Sequence, residues 1–144
     1  MYDHVLVPTD GSPTVETTLD HAISIAEDDE ATVHGLYVLD NRILTAADSD
    51  TRADLESSLR EEGEAAVEAV AERADAAGLK AVTGIRTGTP WKEILAYVDE
   101  TDVDLIVIGT RGKSPREKIV SLGSVSERVV DNASTPVLVV RGDE

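Results

Sequence analysis

The feature that most constrains this chain is the alternation of short apolar runs with stretches of helical periodicity. His4-Val5-Leu6-Val7, closed by Pro8, has the pattern of a buried strand. Ser12 and Pro13 then supply a helix cap followed by proline at the first helical position. Val15, Leu19, Ala22, Ile23 and Ala26 recur at helical spacing, which predicts a helix from about Pro13 to Glu27. Thr32 to Leu39 reads as a second strand, and the polar, mixed stretch Asp40 to Asp50 as a loop. A long helix is expected from Thr51, carrying Leu55, Leu59, Ala66, Val67, Val70 and Ala74 on one stripe and stopped by Gly78. Lys80 to Arg86 is a more polar third strand. Thr89-Pro90 repeats the cap-plus-proline device ahead of Ile94, Leu95 and Val98. Val103 to Ile108 is continuously apolar, as in a central parallel strand. Ser124-Val125-Ser126-Glu127 has the form of a capping box opening a last helix, and Pro136 to Arg141 is the final strand.

Strands alternating with helices require right-handed crossovers and a parallel sheet covered on both faces. The expected fold is therefore a single α/β domain spanning residues 1–144. In such sheets ligands bind beyond the carboxyl ends of the strands, where the strand order reverses. The segments that follow the strands are the places to look for function.

Composition narrows the classes available. No cysteine is present, which excludes disulfides, thiolate metal sites and cysteine nucleophiles. No apolar run reaches the ~18 residues of a membrane span, and no signal peptide is evident, so a cytoplasmic location is expected. The net charge of −16, from 13 basic and 29 acidic residues, opposes nucleic-acid and anionic-membrane partners. Acid spread along the whole chain, with nine arginines to four lysines, reads as adaptation to a salt-rich cytoplasm, the alternative being an ordinary acidic bacterial protein. Screening of that self-repulsion should make the fold more stable in molar than in dilute potassium chloride, which comparative unfolding tests.

Two segments could carry chemistry. Asp10, in Pro8-Thr9-Asp10-Gly11-Ser12, follows the first strand and precedes a helix N-terminus. Its carboxylate can accept hydrogen bonds from a ribose hydroxyl or a base amino group, or it can simply cap the helix. After the fourth strand comes Gly109-Thr110-Arg111-Gly112, followed later by Gly123-Ser124 at a helix start. Glycines three apart let backbone N–H groups approach a ligand, and a helix N-terminus favours phosphate, with Ser124 and Ser126 able to add hydroxyls. A tight chain reversal needs the same glycines. Arg111, Lys113, Arg116 and Lys118 concentrate four of the 13 cations there, which suits either a docking polyanion or a salt-bridged surface loop. The ending Gly112-Lys113-Ser114 imitates a P-loop, but the first glycine of that motif would fall on Val107 and Pro115 interrupts its helix. His4, His21 and His34 fall on three elements without metal-ligand spacing, and no acyl-transfer elbow is present. No catalytic set stands out.

Taken together these residues resemble the universal stress protein family. The likeness runs through Val5 to Ser12, Leu36-Tyr37-Val38-Leu39-Asp40 and Gly109 to Arg141, above all Gly123 to Val130 and Thr135 to Arg141. The resemblance implies a five-stranded flavodoxin-like sheet in the order 3-2-1-4-5, of the adenine nucleotide alpha-hydrolase-like type. ATP-binding members carry Gly-x2-Gly-x9-Gly followed by Ser or Thr; here ten residues separate Gly112 from Gly123, one more than that pattern. By the resemblance, Pro8, Thr9 and Asp10 would contact adenine and ribose, and the Val38 backbone the adenine edge. Gly109, Arg111, Gly112, Gly123, Ser124, Val125 and Ser126 would hold ribose and phosphates, with Mg²⁺ or Mn²⁺ bound mainly by phosphate oxygens. The last strand, Val137, Leu138, Val139 and Val140, would pair antiparallel with its copy in a homodimer. The function implied is a stress-response or signalling module that binds ATP and turns it over slowly or not at all. The same fold serving as a nucleotide-free interaction module, and an adenylating enzyme, are the alternatives.

Overall fold

Alternating burial along the strands sets the architecture. A computed structural model of the chain describes residues 1–11, 15–110 and 122–141, the side chains of residues 122–124 excepted. The strands are β1 (His4–Pro8), β2 (Thr32–Asp40), β3 (Ala81–Gly88), β4 (Leu105–Gly109) and β5 (Val137–Val140); the helices are α1 (Val15–Asp29), α2 (Asn41–Ala46), α3 (Ser49–Ala76), α4 (Pro90–Glu100) and α5 (Leu122–Asn132). They form one five-stranded sheet in the order β3-β2-β1-β4-β5, with every neighbouring pair parallel. Successive side chains of a strand point to opposite faces, so β1 and β4 build two cores at once. Val5, Val7, Leu105 and Val107 pack with Leu19, Ala22, Ile23 and Ala26 of α1 and Val70 and Ala74 of α3. Leu6, Ile106 and Ile108 pack with Ile94, Tyr97 and Val98 of α4 and Val125 and Val129 of α5. Both faces are thus covered, as the expected doubly wound α/β fold requires.

Gly78 ends α3 as the sequence predicts. Its φ is +77°, its N–H bonds to the Asp75 carbonyl, and the Leu79 N–H reaches back to the Ala74 carbonyl. That pair of bonds is the Schellman pattern, and the left-handed backbone is why a glycine stands there.

Four local expectations need correction. Asp40 to Asp50 is not simply loop. Asp40 Oδ1 accepts the Arg42 N–H at 2.9 Å and so caps α2, while Arg52 closes its other end by donating to the carbonyls of Leu44 (2.8 Å) and Ala47 (3.1 Å). Side chains remote from any apolar period supply these caps, which is why hydrophobic spacing misses the element. α3 accordingly begins at Ser49 rather than Thr51. Thr89 precedes α4 with extended backbone but makes no side-chain cap; its carbonyl accepts the Glu93 N–H at 2.9 Å instead. Finally, Leu122 is already helical, so Ser124 lies inside α5 and does not start it. The phase of that helix follows burial of Val125 and Val129, which outweighs a serine's preference for the cap. The Ser12-Pro13 cap lies outside the described residues.

Candidate functional site

The order of the sheet reverses between β1 and β4, and there the chain opens a crevice. β1 pairs with β4 through Val5–Leu105 and Leu6–Ile106. Beyond that point the two strands part. The Thr9 N–H donates to the Leu36 carbonyl on β2 (2.9 Å), whereas the Thr110 N–H donates to the Val140 carbonyl on β5 (3.0 Å). Pro8 stands at the parting, and having no N–H it leaves no donor stranded there.

The crevice is open to solvent and encloses only about 50 Å³, so it is the floor of a cleft rather than a closed cavity. Its walls come from six elements and the segment after β1. Pro8, Thr9 and Asp10 form the end of β1 and its exit, Leu36 to Val38 and Asp40 come from β2, Ile43 from α2, Leu59 from α3, Pro90 and Ile94 from α4, and Val125 from α5. The lining is mainly apolar, with the Asp10 carboxylate at one end.

Each polar group has a local reason for its place. Thr9 is buried, and its Oγ1 accepts the Gly11 N–H at 3.1 Å, folding the exit from β1 into a tight turn. Gly11 takes a φ of +83° in that turn, which an L side chain would resist. Asp40 is also buried, but Arg42 holds both of its oxygens, with a shortest contact of 2.6 Å. Its charge is neutralised, so Asp40 belongs to the wall of the site. Tyr37 donates its hydroxyl to Glu62 Oε2 at 3.1 Å. Burial, the charge and hydrogen bond of Glu62, and the charge of Asp10 all push the Tyr37 hydroxyl well above the ordinary phenol range, so it stays protonated as a donor.

Of the residues singled out from sequence, the crevice gathers Pro8, Thr9, Asp10, Val38 and Val125. Gly109 ends β4 at the parting, and Ser126 is buried on α5 beside Val125 without lining the crevice. Gly123 and Ser124 lie in the first turn of α5. Arg111 and Gly112, with Lys113, Arg116 and Lys118, fall outside the described residues. Sequence reasoning missed Tyr37, Ile43, Leu59, Pro90 and Ile94. Each appeared there as core, cap or loop, and only the crossovers bring them over the end of β1. Among the described residues no group of three or more His, Asp or Glu side chains could hold a metal ion, and no helix is long and apolar enough to cross a membrane.

Fold and crevice define a doubly wound α/β protein with an open cleft at the topological switch point, where such folds bind ligands. The family model of the universal stress protein family matches residues 1–141. The chain is 39% identical over 142 residues to Universal stress protein MJ0531 of Methanocaldococcus jannaschii, covering 98% of this chain and 83% of that protein. It is 32% identical over 149 residues to Universal stress protein YxiE of Bacillus subtilis, covering 98% and 100%. Among solved structures, that of MJ0577 superposes with a TM-score of 0.87 at 31% identity, covering 100% of this chain and 99% of that one. A universal stress protein crystallised in complex with cAMP superposes at 0.73 with 26% identity, covering 99% of both chains. The chain belongs to the universal stress protein family.

Proposed function

We propose that this protein binds an adenine nucleotide in the crevice between β1 and β4. The observation that carries the reading is the convergence of Pro8, Thr9, Asp10, Val38 and Val125, from three separate stretches of sequence, on one apolar cleft. A purine ring suits its flat apolar walls. The Asp10 carboxylate is positioned to accept from ribose hydroxyls, and the described chemistry of the cleft fits the nucleoside half of such a ligand. That a similar universal stress protein was crystallised in complex with cAMP supports the ligand class.

Phosphates would extend toward Gly109 and the start of α5, where Gly123, Ser124 and Ser126 stand, with Arg111 and Gly112 completing the loop between them. Helix α5 offers its N-terminal partial charge to such an anion. The described residues provide no three-ligand metal cluster, which fits Mg²⁺ or Mn²⁺ carried by the phosphates themselves. In this reading ATP is held with slow turnover or none, as in a cytoplasmic stress-response or signalling module.

Equilibrium titration with fluorescent mant-ATP and Mg²⁺ tests the proposal. Saturable binding in the micromolar range is expected, and no binding up to about millimolar ligand overturns it. The homodimer belongs to the same reading. β5 is an edge strand whose Val137, Leu138 and Val139 are only half-buried in the isolated chain, and Val130 of α5 is 48% exposed. Antiparallel pairing of two β5 strands would cover that edge, and light scattering of the purified protein reads out the association.

A further inference from the structure

At the end of the sheet away from the crevice, two histidines and a tyrosine form a continuous hydrogen-bonded chain. His4 Nδ1 lies 3.0 Å from His34 Nε2, and His34 Nδ1 lies 2.7 Å from the Tyr97 hydroxyl. His34 and Tyr97 are buried, whereas His4 at the start of β1 is half-buried. We propose that the His4–His34–Tyr97 chain is a proton-sensing device of the fold. It accepts one proton with its hydrogen bonds intact, whereas a second breaks the His4–His34 contact, and that break loosens helix α4 where the helix walls the crevice.

The device follows from counting protons. A neutral imidazole has one N–H and one lone pair, so only one proton lies between the two facing nitrogens. Put one extra proton on the pair, with the charge on His4, the ring that reaches solvent. His4 Nδ1–H then donates to His34 Nε2, and His34 Nδ1–H donates to the Tyr97 oxygen. Both contacts survive. Add a second proton, and neither facing nitrogen keeps a lone pair. Two like charges then oppose each other with ring centroids 5.2 Å apart.

The surrounding groups do not relieve that conflict. From β3, the Arg86 guanidinium sits over the Tyr97 ring at 5.1 Å, a permanent cation on the far side of the tyrosine. From α4, Glu93 and Glu100 face Arg86, and Glu100 binds it at 2.6 Å. Asp104, preceding β4, accepts the backbone N–H groups of Asp3 and His4. Burial and the neighbouring His4 both hold the His34 imidazolium below the usual histidine range. In the unfolded chain His34 takes up a proton near the ordinary histidine pH of ~6.5 but in the folded chain only below it, so the unfolded state binds more protons as pH falls through that range. Stability is therefore full above about pH 6.5 and is lost as pH falls toward the folded pair's second step.

The link to the site runs through α4. Tyr97 and Ile94 are one turn apart in the same core cluster, and Ile94 with Pro90 lines the crevice. Expelling His4 to admit the second proton leaves His34 charged and without that partner, and the disturbance passes through the His34–Tyr97 bond to α4 and Ile94. The consequence for nucleotide rests on the function proposed above, but the proton sensing does not, so the test uses no nucleotide.

The test is an NMR pH titration of the full chain between about pH 5 and 7.5, following the two imidazoles and the Ile94 methyl groups. The wild type should take up its two protons in steps more than about one pH unit apart, with the Ile94 methyls moving on the lower step. His4→Gln should raise the His34 midpoint by about half a unit or more and uncouple Ile94. Tyr97→Phe, which keeps the packing, should change the His34 titration while leaving the fold intact. Independent titration of the two rings, a His34 midpoint unmoved by His4→Gln, or an Ile94 signal blind to the lower step would each overturn the proposal.

Discussion

Replacing Asp10 with alanine is expected to weaken mant-ATP binding between about tenfold and a hundredfold, with the unfolding midpoint little changed. The magnitude is that of a hydrogen bond to a charged group, about 1.5–3 kcal/mol, converted at ~1.4 kcal/mol per tenfold. Stability should survive because the carboxylate stands at the end of β1 among other acids. Glu62 approaches the same turn, with its Cγ 3.3 Å from where a side chain on Gly11 would begin, and the Asp10 charge is felt at Tyr37. Removing one negative charge from that group relieves repulsion. Asp40→Ala is the informative contrast. That residue is also in the wall, but it caps α2 and pairs with Arg42, so its loss should lower stability first. An Asp10→Ala protein that binds nucleotide with wild-type affinity would show that the carboxylate serves only the local turn.

Gly63→Ala should destabilise the fold by about 2–4 kcal/mol, against the gain of up to ~1 kcal/mol that helix propensity alone would give. Gly63 is buried in the middle of α3, and a Cβ there would lie 2.5 Å from Cδ1 of Tyr37 and 2.9 Å from two more ring carbons. The ring cannot step aside cheaply. It packs with Leu39 and Val67, and its hydroxyl is held by Glu62 one residue before the glycine. Either the ring leaves its cluster or α3 moves off the sheet, and both routes also displace Leu59 and Tyr37 in the crevice wall. Urea unfolding reads the loss, equivalent to a fall of several degrees in Tm for a chain of this length. Gly78→Ala is the control. No atom lies within 4 Å of its Cβ position, so only the strain of φ +77° counts, about 1–2 kcal/mol. A gain in stability on Gly63→Ala, as propensity alone gives, would mean that Tyr37 yields without resistance.

These two positions differ in how visible they are in the sequence. Asp10 stands out because a strand pattern ends at Pro8, and the physics of parallel sheets puts ligands at such ends. Gly63 does not, because a lone glycine in a helical stripe carries no mark of what presses on it. The glycine loop falls between these cases. Its ends fall at the close of β4 (Gly109) and the start of α5 (Gly123), while its spacing, one residue longer than the family pattern, could be read only as a departure.

The histidines give the sharpest lesson. On spacing alone His4, His21 and His34 are three unrelated residues. β1–β2 register sets His4 opposite Thr32 and Leu6 opposite His34, close enough for the two rings to meet at 3.0 Å. Tyr97, 63 residues from His34, then arrives with α4.

By itself the sequence determined the five strands, the helices α1, α3, α4 and α5, the stop at Gly78 and the place of Asp10 just after β1. Those depend on local periodicity, turn chemistry and the two-sided burial of parallel strands. The tertiary structure alone decided that Tyr37, Leu59 and Ile94 complete the crevice, that Asp40 is neutralised by Arg42 in its wall, and that His34 is locked between His4 and Tyr97. Crossovers create those meetings by laying distant segments over the same strand ends, and close packing then fixes which side chains touch. Neither leaves a period in the sequence to be read.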